Sequence, residues 1–438
     1  MFNLRFRHLV LFDFLTILWY YGRYENLAKI SSGRKKRMKK IKLLALILTL
    51  VMLFQGMPLT IGTAADSQTD TIVLYPEYPE KIERDYMYRV YVSQGGEEYE
   101  IPVYNSMRHS NHYVRGDLGT YSETDRRFCQ FSATPSAANP VTVKVVVNTN
   151  FNKVSIISPM YEITQEGKTR EAIEKISPSK IQGNEIYFEI KNSSQYVFRI
   201  NDDNISNLAI FADPVETDIP DESASNVIVF DKNNPAPNAI IGDSLLELDA
   251  TAEELAWYDQ NVTSNTIFVI KDWQDIEFFE LRSDQQLYIA PGAVLNSRIQ
   301  IMGSQSNIKV YGRGMLRDFN DTRAYNKSVH QIEKRRFNYL FTVGSSWDRS
   351  SGSVVQNVTI NDILLFDAKG FNLVFQGAKL CYVNNIKIVA NEISTDGISF
   401  WGANAIKVKD SFLHVADNVF VMDQFESLNV DKDRKSVV

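Results

Sequence analysis

A four-residue phrase recurs through the C-terminal half of the chain and limits the folds that this half can adopt. An apolar residue stands second and fourth, lysine or threonine third, and asparagine or alanine first. In a strand, the second and fourth side chains point to one face and the third to the other. Short strands repeated in this way predict the stacked coils of a parallel β-helix. The four copies are Asn307-Ile308-Lys309-Val310, Asn357-Val358-Thr359-Ile360, Asn385-Ile386-Lys387-Ile388 and Ala405-Ile406-Lys407-Val408.

Two carboxylates stand near the end of the repeat. Asp396 lies in Thr395-Asp396-Gly397, and Asp417 follows 21 positions later in Ala416-Asp417-Asn418, an interval of about one coil. Stacked strands lie about 4.8 Å apart, so the spacing predicts that both carboxyl groups face one groove. Two facing carboxyl groups are what glycoside hydrolysis requires. Aspartate is also common in turns, so the residues alone leave a purely structural role open.

These segments carry a family resemblance. Thr395-Asp396-Gly397 and the run from Phe412 to Asn418 resemble the catalytic region of glycoside hydrolase family 49, which contains dextranases and isopullulanase. They are similar, more distantly, to the family 28 polygalacturonases. The resemblance implies a right-handed, pectin-lyase-like parallel β-helix and an inverting hydrolase, with Asp417 as acid and Asp396 as base. The family has a further aspartate where this chain has Asn418, and an amide orients water without taking its proton.

Four further residues are candidate ligands of a sugar. Trp401 and His414 lie close in sequence to the two aspartates, and Trp347 and Arg349 lie in a polar segment, residues 315–353, that interrupts the repeat. A tryptophan ring stacks on a sugar and an arginine binds its oxygens. Long insertions in a β-helix often wall a groove. Each of these residues is equally compatible with ordinary packing.

The N-terminal half has a different pattern. Short alternating strands such as Val141–Val147, separated by turns, predict an antiparallel β-sandwich over residues 66–230. The β-helix is predicted over residues 231–438, with one helix near Leu245–Tyr258 that Thr251 caps. The predicted fold is therefore all-β, a sandwich followed by a parallel β-helix, which the resemblance implies is right-handed. The ending Asp433–Val438 resembles a translated sequencing adapter, which leads us to expect that the β-helix is truncated at its C-terminus.

Residues 1–65 are predicted to be an upstream extension and a signal peptide. A basic stretch from Met38 precedes the apolar run Leu43–Phe54, and Thr63-Ala64-Ala65 is a small-residue cleavage site. The apolar run is too short to span a bilayer comfortably. We therefore expect secretion without a stable membrane anchor and a mature start near Asp66, which N-terminal sequencing of secreted protein would test.

Composition narrows the function. The net charge of −6 shows no basic bias towards nucleic acid. Cys129 and Cys381 lie far apart in sequence with no further cysteines to form a disulfide framework, so they are expected to be buried free thiols. No metal or other cofactor is predicted. The resemblance to family 49 implies a hydrolase of a dextran-like or pullulan-like α-glucan, with a polysaccharide as its partner. Two alternatives stay open: a polygalacturonase-like pectin hydrolase and a non-catalytic carbohydrate-binding protein.

Overall fold

Two neighbouring sheets make up the N-terminal part of the described chain. The computed structural model describes residues 71–106, 125–163, 169–201, 207–242, 251–318, 339–344, 354–368, 370–391, 395–423 and 427–430. The predicted leader, the C-terminal adapter-like run, Trp347 and Arg349 lie outside these residues. The strands of the two sheets are β1 (Tyr88–Ser93), β2 (Glu98–Ile101), β3 (Tyr104–Ser106), β4 (Arg126–Ser132), β5 (Val141–Val147), β6 (Val154–Ile163), β7 (Thr169–Ile176), β8 (Lys180–Gln182), β9 (Glu185–Ile190), β10 (Ser194–Ile200) and β11 (Leu208–Asp213).

The two N-terminal sheets contribute to one apolar cluster. Their strand orders are β2-β1-β5-β9-β8 and β3-β4-β11-β10-β6-β7. In β5 the valines at alternate positions are buried while the residues between them are half-buried, as strand alternation requires. Val143 and Phe188 from the first sheet join Phe131 and Phe198 from the second in the same cluster. The buried Cys129 also lies in it, and both it and Cys381 are free thiols, which confirms the cysteine prediction.

Parallel strands wind through the rest of the described chain. One helix, α1 (Ala252–Asn261), interrupts them and ends later than the predicted Tyr258. Thr251 is its N-cap, as the sequence indicated, and forms a capping box with Glu254. No helix in the described residues is long and apolar enough to cross a membrane. The strands are β12 (Val227–Phe230), β13 (Ala239–Ile240), β14 (Ile267–Ile270), β15 (Trp273–Glu280), β16 (Gln286–Ile289), β17 (Val294–Ile301), β18 (Ser306–Gly312), β19 (Met315–Arg317), β20 (Phe341–Val343), β21 (Gln356–Asn361), β22 (Leu364–Phe366), β23 (Leu373–Gln376), β24 (Tyr382–Asn384), β25 (Lys387–Val389), β26 (Ile398–Trp401), β27 (Asn404–Lys409), β28 (Phe412–His414), β29 (Phe420–Asp423) and β30 (Ser427–Val430).

Each complete coil contributes to three stacked faces. One face has the order β12-β14-β16-β18-β21-β24-β27-β30. The long strand β17 pairs with β19 through its first half and with β20 through its second half. From there the other two faces run β19-β22-β25-β28 and β20-β23-β26-β29. All of these pairings are parallel, so the all-β class and the parallel β-helix are confirmed.

Apolar side chains stack inside the coils. On β26, Ile398 and Phe400 join the central cluster. The ring of Phe400 lies 5.8 Å from that of Phe375 on the coil before, nearly parallel to it. Ser399 and Trp401 point to the outer face by alternation. The outer faces therefore carry the side chains that are available to other parts of the protein or to a ligand.

The repeated phrase marks two different corners. Asn307 and Asn357 stack in one corner, where Asn357 donates to Asn307 at 3.4 Å. Leu380 and then Ala405 occupy the same corner on the next two coils. Asn385 instead stacks in the other corner, where it donates to Asp362 at 2.7 Å. All of these residues have positive φ, which asparagine and aspartate tolerate best among residues with side chains. The four copies therefore do not form one column, because both corners use the same residue types.

The N-terminal sheets pack on the outer face of the β19-β22-β25-β28 stack. Phe128 and Phe211 contribute from β4 and β11, and Phe366 and Phe412 from β22 and β28. Beside this apolar contact, Lys387 of β25 forms a buried ion pair with Asp213 of β11 at 2.5 Å. The two parts of the described chain thus meet at an interface that combines an apolar cluster with a buried charge pair.

Candidate active site

The two candidate carboxylates lie in the turns that lead into β26 and β29. Asp396 precedes β26 and is 3% exposed. Asp417 lies between β28 and β29 and is exposed. These turns, Thr395–Gly397 and Val415–Val419, are called the site turns below, and Asp396 with Asp417 the carboxylate pair. They occupy successive coils, as the sequence predicted.

Asn418 joins the two carboxylates. Its backbone N donates to Asp396 Oδ1 at 3.1 Å, and its Nδ2 donates to the same oxygen at 3.2 Å. The same Nδ2 donates to Asp417 Oδ1 at 3.0 Å. Asp396 Oδ1 and Asp417 Oδ1 therefore both accept a hydrogen bond from Asn418 Nδ2, which keeps these two oxygens at most about 6 Å apart. In the β26–β29 register, in which Ile398 pairs with Phe420, Asn418 rather than Asp417 lies directly over Asp396.

Backbone contacts between neighbouring coils hold Asp396 in place. Asn372, on the coil before, donates to the Asp396 carbonyl from its backbone N at 3.0 Å and from its Nδ2 at 2.7 Å. Gly397 N donates to the Asn418 carbonyl at 2.8 Å. A Cβ at Gly397 would lie 2.4 Å from the Val419 carbonyl oxygen, so only glycine permits this approach. The Asp-Gly sequence is thus explained by the stacking of the coils.

Burial raises the pKa of Asp396 above its ordinary value. The charge of Asp417 raises this pKa further, while the hydrogen bonds from Asn418 oppose the increase. A carboxylate loses hydration when it is buried, and a neighbouring negative charge disfavours its ionisation. A raised pKa makes the ionised carboxylate a stronger base and also keeps its protonated form present to higher pH, so it suits proton transfer in either direction.

Replacing Asp396 with asparagine is expected to stabilise the fold near neutral pH. The folded-state pKa is raised, so the ionised carboxylate opposes folding once the pH exceeds that pKa. The advantage of the variant should therefore be present at pH 7 and shrink as the pH falls towards the ordinary aspartate pKa. Melting temperatures of the Asp396→Asn variant and the unmodified chain between pH 3 and pH 7 would show this. A variant that melts lower at pH 7 but not at pH 3 would contradict the assignment.

Trp401 belongs to an aromatic group rather than standing open to solvent. It is 6% exposed, and its ring meets those of Tyr339 and Phe371 edge-on at 5.4 and 5.5 Å. Tyr339 and Phe371 stack on each other at 5.2 Å and are half-buried. In the registers of β20, β23 and β26, both lie in the column that leads to Asp396. No sequence motif had predicted this pair, although each member is an aromatic residue two positions before an apolar strand.

His414 lies on the side of β28 that faces the N-terminal sheets. Its pKa is lowered to about 3, chiefly by burial and then by the charges of Arg126 and Arg199, which belong to β4 and β10. The imidazole is therefore neutral at ordinary pH. Its predicted role as a sugar ligand stays a prediction, as do the roles of Trp347 and Arg349. Among the described residues, no group of three or more histidine, cysteine, aspartate or glutamate side chains is placed to hold a metal ion.

Together, the fold and site define a parallel β-helix protein with paired carboxylates at one corner of successive coils. No family model matches the chain, and no curated protein matches it. Solved structures do. A protein of Parabacteroides merdae ATCC 43184, provisionally assigned as a glycosyl hydrolase, is 17% identical over 40% of this chain and 84% of its own, with a TM-score of 0.29. The family 28 exopolygalacturonase of Yersinia enterocolitica is 12% identical over 66% of this chain and 64% of its own, with a TM-score of 0.30.

Neither description names family 49, which the sequence motifs resemble. Both TM-scores are too low to establish a shared fold, so the fold assignment rests on the strand pairing described above.

Proposed function

We propose that this protein is a glycoside hydrolase. The observation that carries the proposal is the carboxylate pair on successive coils, with both members bound to the amide of Asn418. One carboxyl group is buried and has a raised pKa, while the other is exposed. Two carboxyl groups with different surroundings can divide the work of acid and base between them.

In the proposed reaction, Asp417 donates a proton to the oxygen of the leaving sugar. Its exposure lets it reach a chain that lies over the corner. Asp396 takes the proton of the attacking water, and the amide of Asn418 orients the pair. The roles of Asp417 as acid and Asp396 as base follow the family 49 resemblance.

We propose inversion at the anomeric carbon, as the resemblance implies. The two Oδ1 atoms that share the Asn418 amide are at most about 6 Å apart. This is shorter than the distance of roughly 6.5–9.5 Å between the two carboxyl groups of typical inverting enzymes. A retaining enzyme, however, needs a nucleophile that touches the anomeric carbon itself. Asp396 is 3% exposed and lies beneath Asn418, which favours action through a water molecule over direct attack.

The proposed substrate is an α-glucan of the dextran or pullulan type. This choice rests on the resemblance around Asp396 and Asp417. A non-catalytic carbohydrate-binding protein is the second candidate, because Asn418 cannot accept the proton that an aspartate there would accept. Polygalacturonate is the third substrate to test, since it is the substrate of the more distantly similar family.

A substrate panel separates these functions. Purified protein is incubated with dextran, pullulan and polygalacturonate, and new reducing ends are measured along with binding in affinity gels. We expect reducing ends from dextran or pullulan. New reducing ends from polygalacturonate alone would show that the substrate is a pectin and not an α-glucan. Binding without release from any of the three would support the non-catalytic candidate and overturn hydrolysis.

We also propose that the protein is secreted and that its N-terminal sheets form a sandwich, before a right-handed β-helix. The parallel strands of the β-helix begin at β12 (Val227–Phe230), a few residues before the predicted boundary between residues 230 and 231. Crossovers between parallel strands are right-handed in nearly all proteins. The side chains that the two N-terminal sheets share in one cluster support the sandwich. An experimental structure of secreted protein would test both, and a left-handed winding or separate cores would contradict them.

A further inference from the structure

An arginine of the N-terminal part contacts both coils that carry the carboxylate pair. Arg126, at the start of β4, donates from Nη2 to the Val415 carbonyl at 3.0 Å. Its Nη1 donates to Asn391 Oδ1. Val415 is in the site turn of Asp417, and Asn391 follows β25 on the coil of Asp396. One guanidinium therefore bridges the two coils close to the carboxylate pair.

The bridge is buried and is supported by neighbouring groups. Arg126 is 7% exposed, and Asn391 and Ser106 are buried as well. Asn391 Nδ2 donates to the Ser106 carbonyl at 3.1 Å, and Ser106 Oγ donates to Asp367. Ser106 ends β3, so both N-terminal strands at this edge take part. A planar guanidinium with several fixed donors suits such a bridge better than a lysine ammonium.

The charge of Arg126 is retained at this site. Burial lowers its pKa to about 10, and the negative charge of Asp367 opposes that decrease. Arg126 is thus protonated at neutral pH, with Asp367 as its nearby counter-charge. The apolar cluster around Phe128 and Phe412 already holds the N-terminal sheets on the β-helix strands. The Arg126 contacts differ from it because they reach the turns.

We propose that Arg126 is a positioning residue of the candidate site, which fixes the relative placement of the two coils that carry Asp396 and Asp417. This inference rests on the proposed hydrolase function. It makes the N-terminal part of the chain a contributor to the geometry of the site, although its residue touches neither the substrate nor the carboxylates. Misplacement of reacting groups by about 1 Å costs roughly 100-fold in rate.

The test compares Arg126→Ala with two other variants of the full chain. Arg126→Lys keeps the charge but not the two-pronged bridge. Arg199→Ala is the matched control: it removes a second N-terminal arginine near His414, and no hydrogen bond joins it to a site turn among the described residues. Each variant is first checked by thermal melting. Glucan hydrolysis then gives kcat and KM, and carbon NMR gives the pKa of the Asp396 carboxyl group.

We expect Arg126→Ala to lower kcat by roughly 10- to 100-fold with little change in KM. The pKa of Asp396 should fall towards its ordinary value as its turn loosens and admits water. Arg126→Lys should lie between Arg126→Ala and the unmodified chain, and Arg199→Ala should match the unmodified chain in both readouts. If Arg126→Ala does not fold, the kcat and the Asp396 pKa of Arg126→Lys test the positioning role instead.

Unchanged kcat and unchanged Asp396 pKa in the folded Arg126 variants would overturn the positioning role. An equal loss in Arg199→Ala would also overturn it, since the effect would then belong to the interface in general. If the unmodified chain hydrolyses none of the glycans, the proposed function fails. The Asp396 pKa still tests the positioning role in that case, so the two failures are distinguishable.

Discussion

Replacing Asp417 with asparagine is expected to lower kcat for glucan hydrolysis by about 10²- to 10⁴-fold. Asparagine keeps the size of the side chain and an oxygen that Asn418 Nδ2 can donate to, as it does to Asp417 at 3.0 Å. It has no proton to give to the leaving oxygen. The loss should therefore appear in kcat, with KM and the melting temperature nearly unchanged. Initial rates of reducing-end release over a range of substrate concentrations measure it.

Asp259→Asn is the matched control for this variant. Asp259 lies on α1 and is exposed, so the same chemical change there should leave both kcat and KM unaltered. A loss of less than about threefold in Asp417→Asn, or an equal loss in the control, would remove Asp417 from the reaction. The proton donor would then have to be sought elsewhere in the protein.

Replacing Asp213 with asparagine is expected to cost about 3–5 kcal/mol of unfolding free energy at pH 7, because a buried cation then loses its partner. The Lys387 and Asp213 side chains are only 1% and 5% exposed. Burial alone would raise the pKa of Asp213, but the charges of Lys387 and Arg313 and the hydrogen bonds from Lys387 and Asn385 hold it below its ordinary value. Urea unfolding measures the loss.

The double variant Asp213→Asn with Lys387→Met removes both charges and should recover most of that stability. The pH dependence gives a second check. Because the folded-state pKa of Asp213 is lowered, its stabilising effect is present above the ordinary aspartate pKa and disappears as the pH falls through the folded value. The difference between Asp213→Asn and the unmodified chain should thus be smaller at pH 3 than at pH 7. A double variant that is no more stable than Asp213→Asn would contradict the pairing.

The sequence pattern predicted the coils but not their corners. An apolar residue at alternate positions is a local property, and the strands at Ile308, Val358 and Ile406 have it. Which corner a phrase follows depends on pairing with the neighbouring coil. Asn385 and Asn357 both need a left-handed backbone, so the two corners look the same in sequence.

The candidate site was predictable where its signal is local. Asp396 and Asp417 were singled out from turn motifs, from the length of one coil and from the resemblance of their segments to family 49. The surroundings of Trp401 and His414 depend on residues far away in the chain, such as Phe371 and Arg199. Arg126 belongs to a strand of the N-terminal sheets, and no motif links it to the turn at Val415. Such contacts arise only when the two parts of the chain pack together.

Proton NMR of the first sugar that the full chain releases from dextran or pullulan tests the proposed hydrolysis most directly. The anomeric signal is recorded before mutarotation equilibrates the product. We expect the β-anomer to appear first, since water that Asp396 activates attacks opposite the α-linked leaving group. No reducing-end signal from either glucan would contradict the α-glucan hydrolase account, and an initial α-anomer would contradict the roles assigned to Asp396 and water.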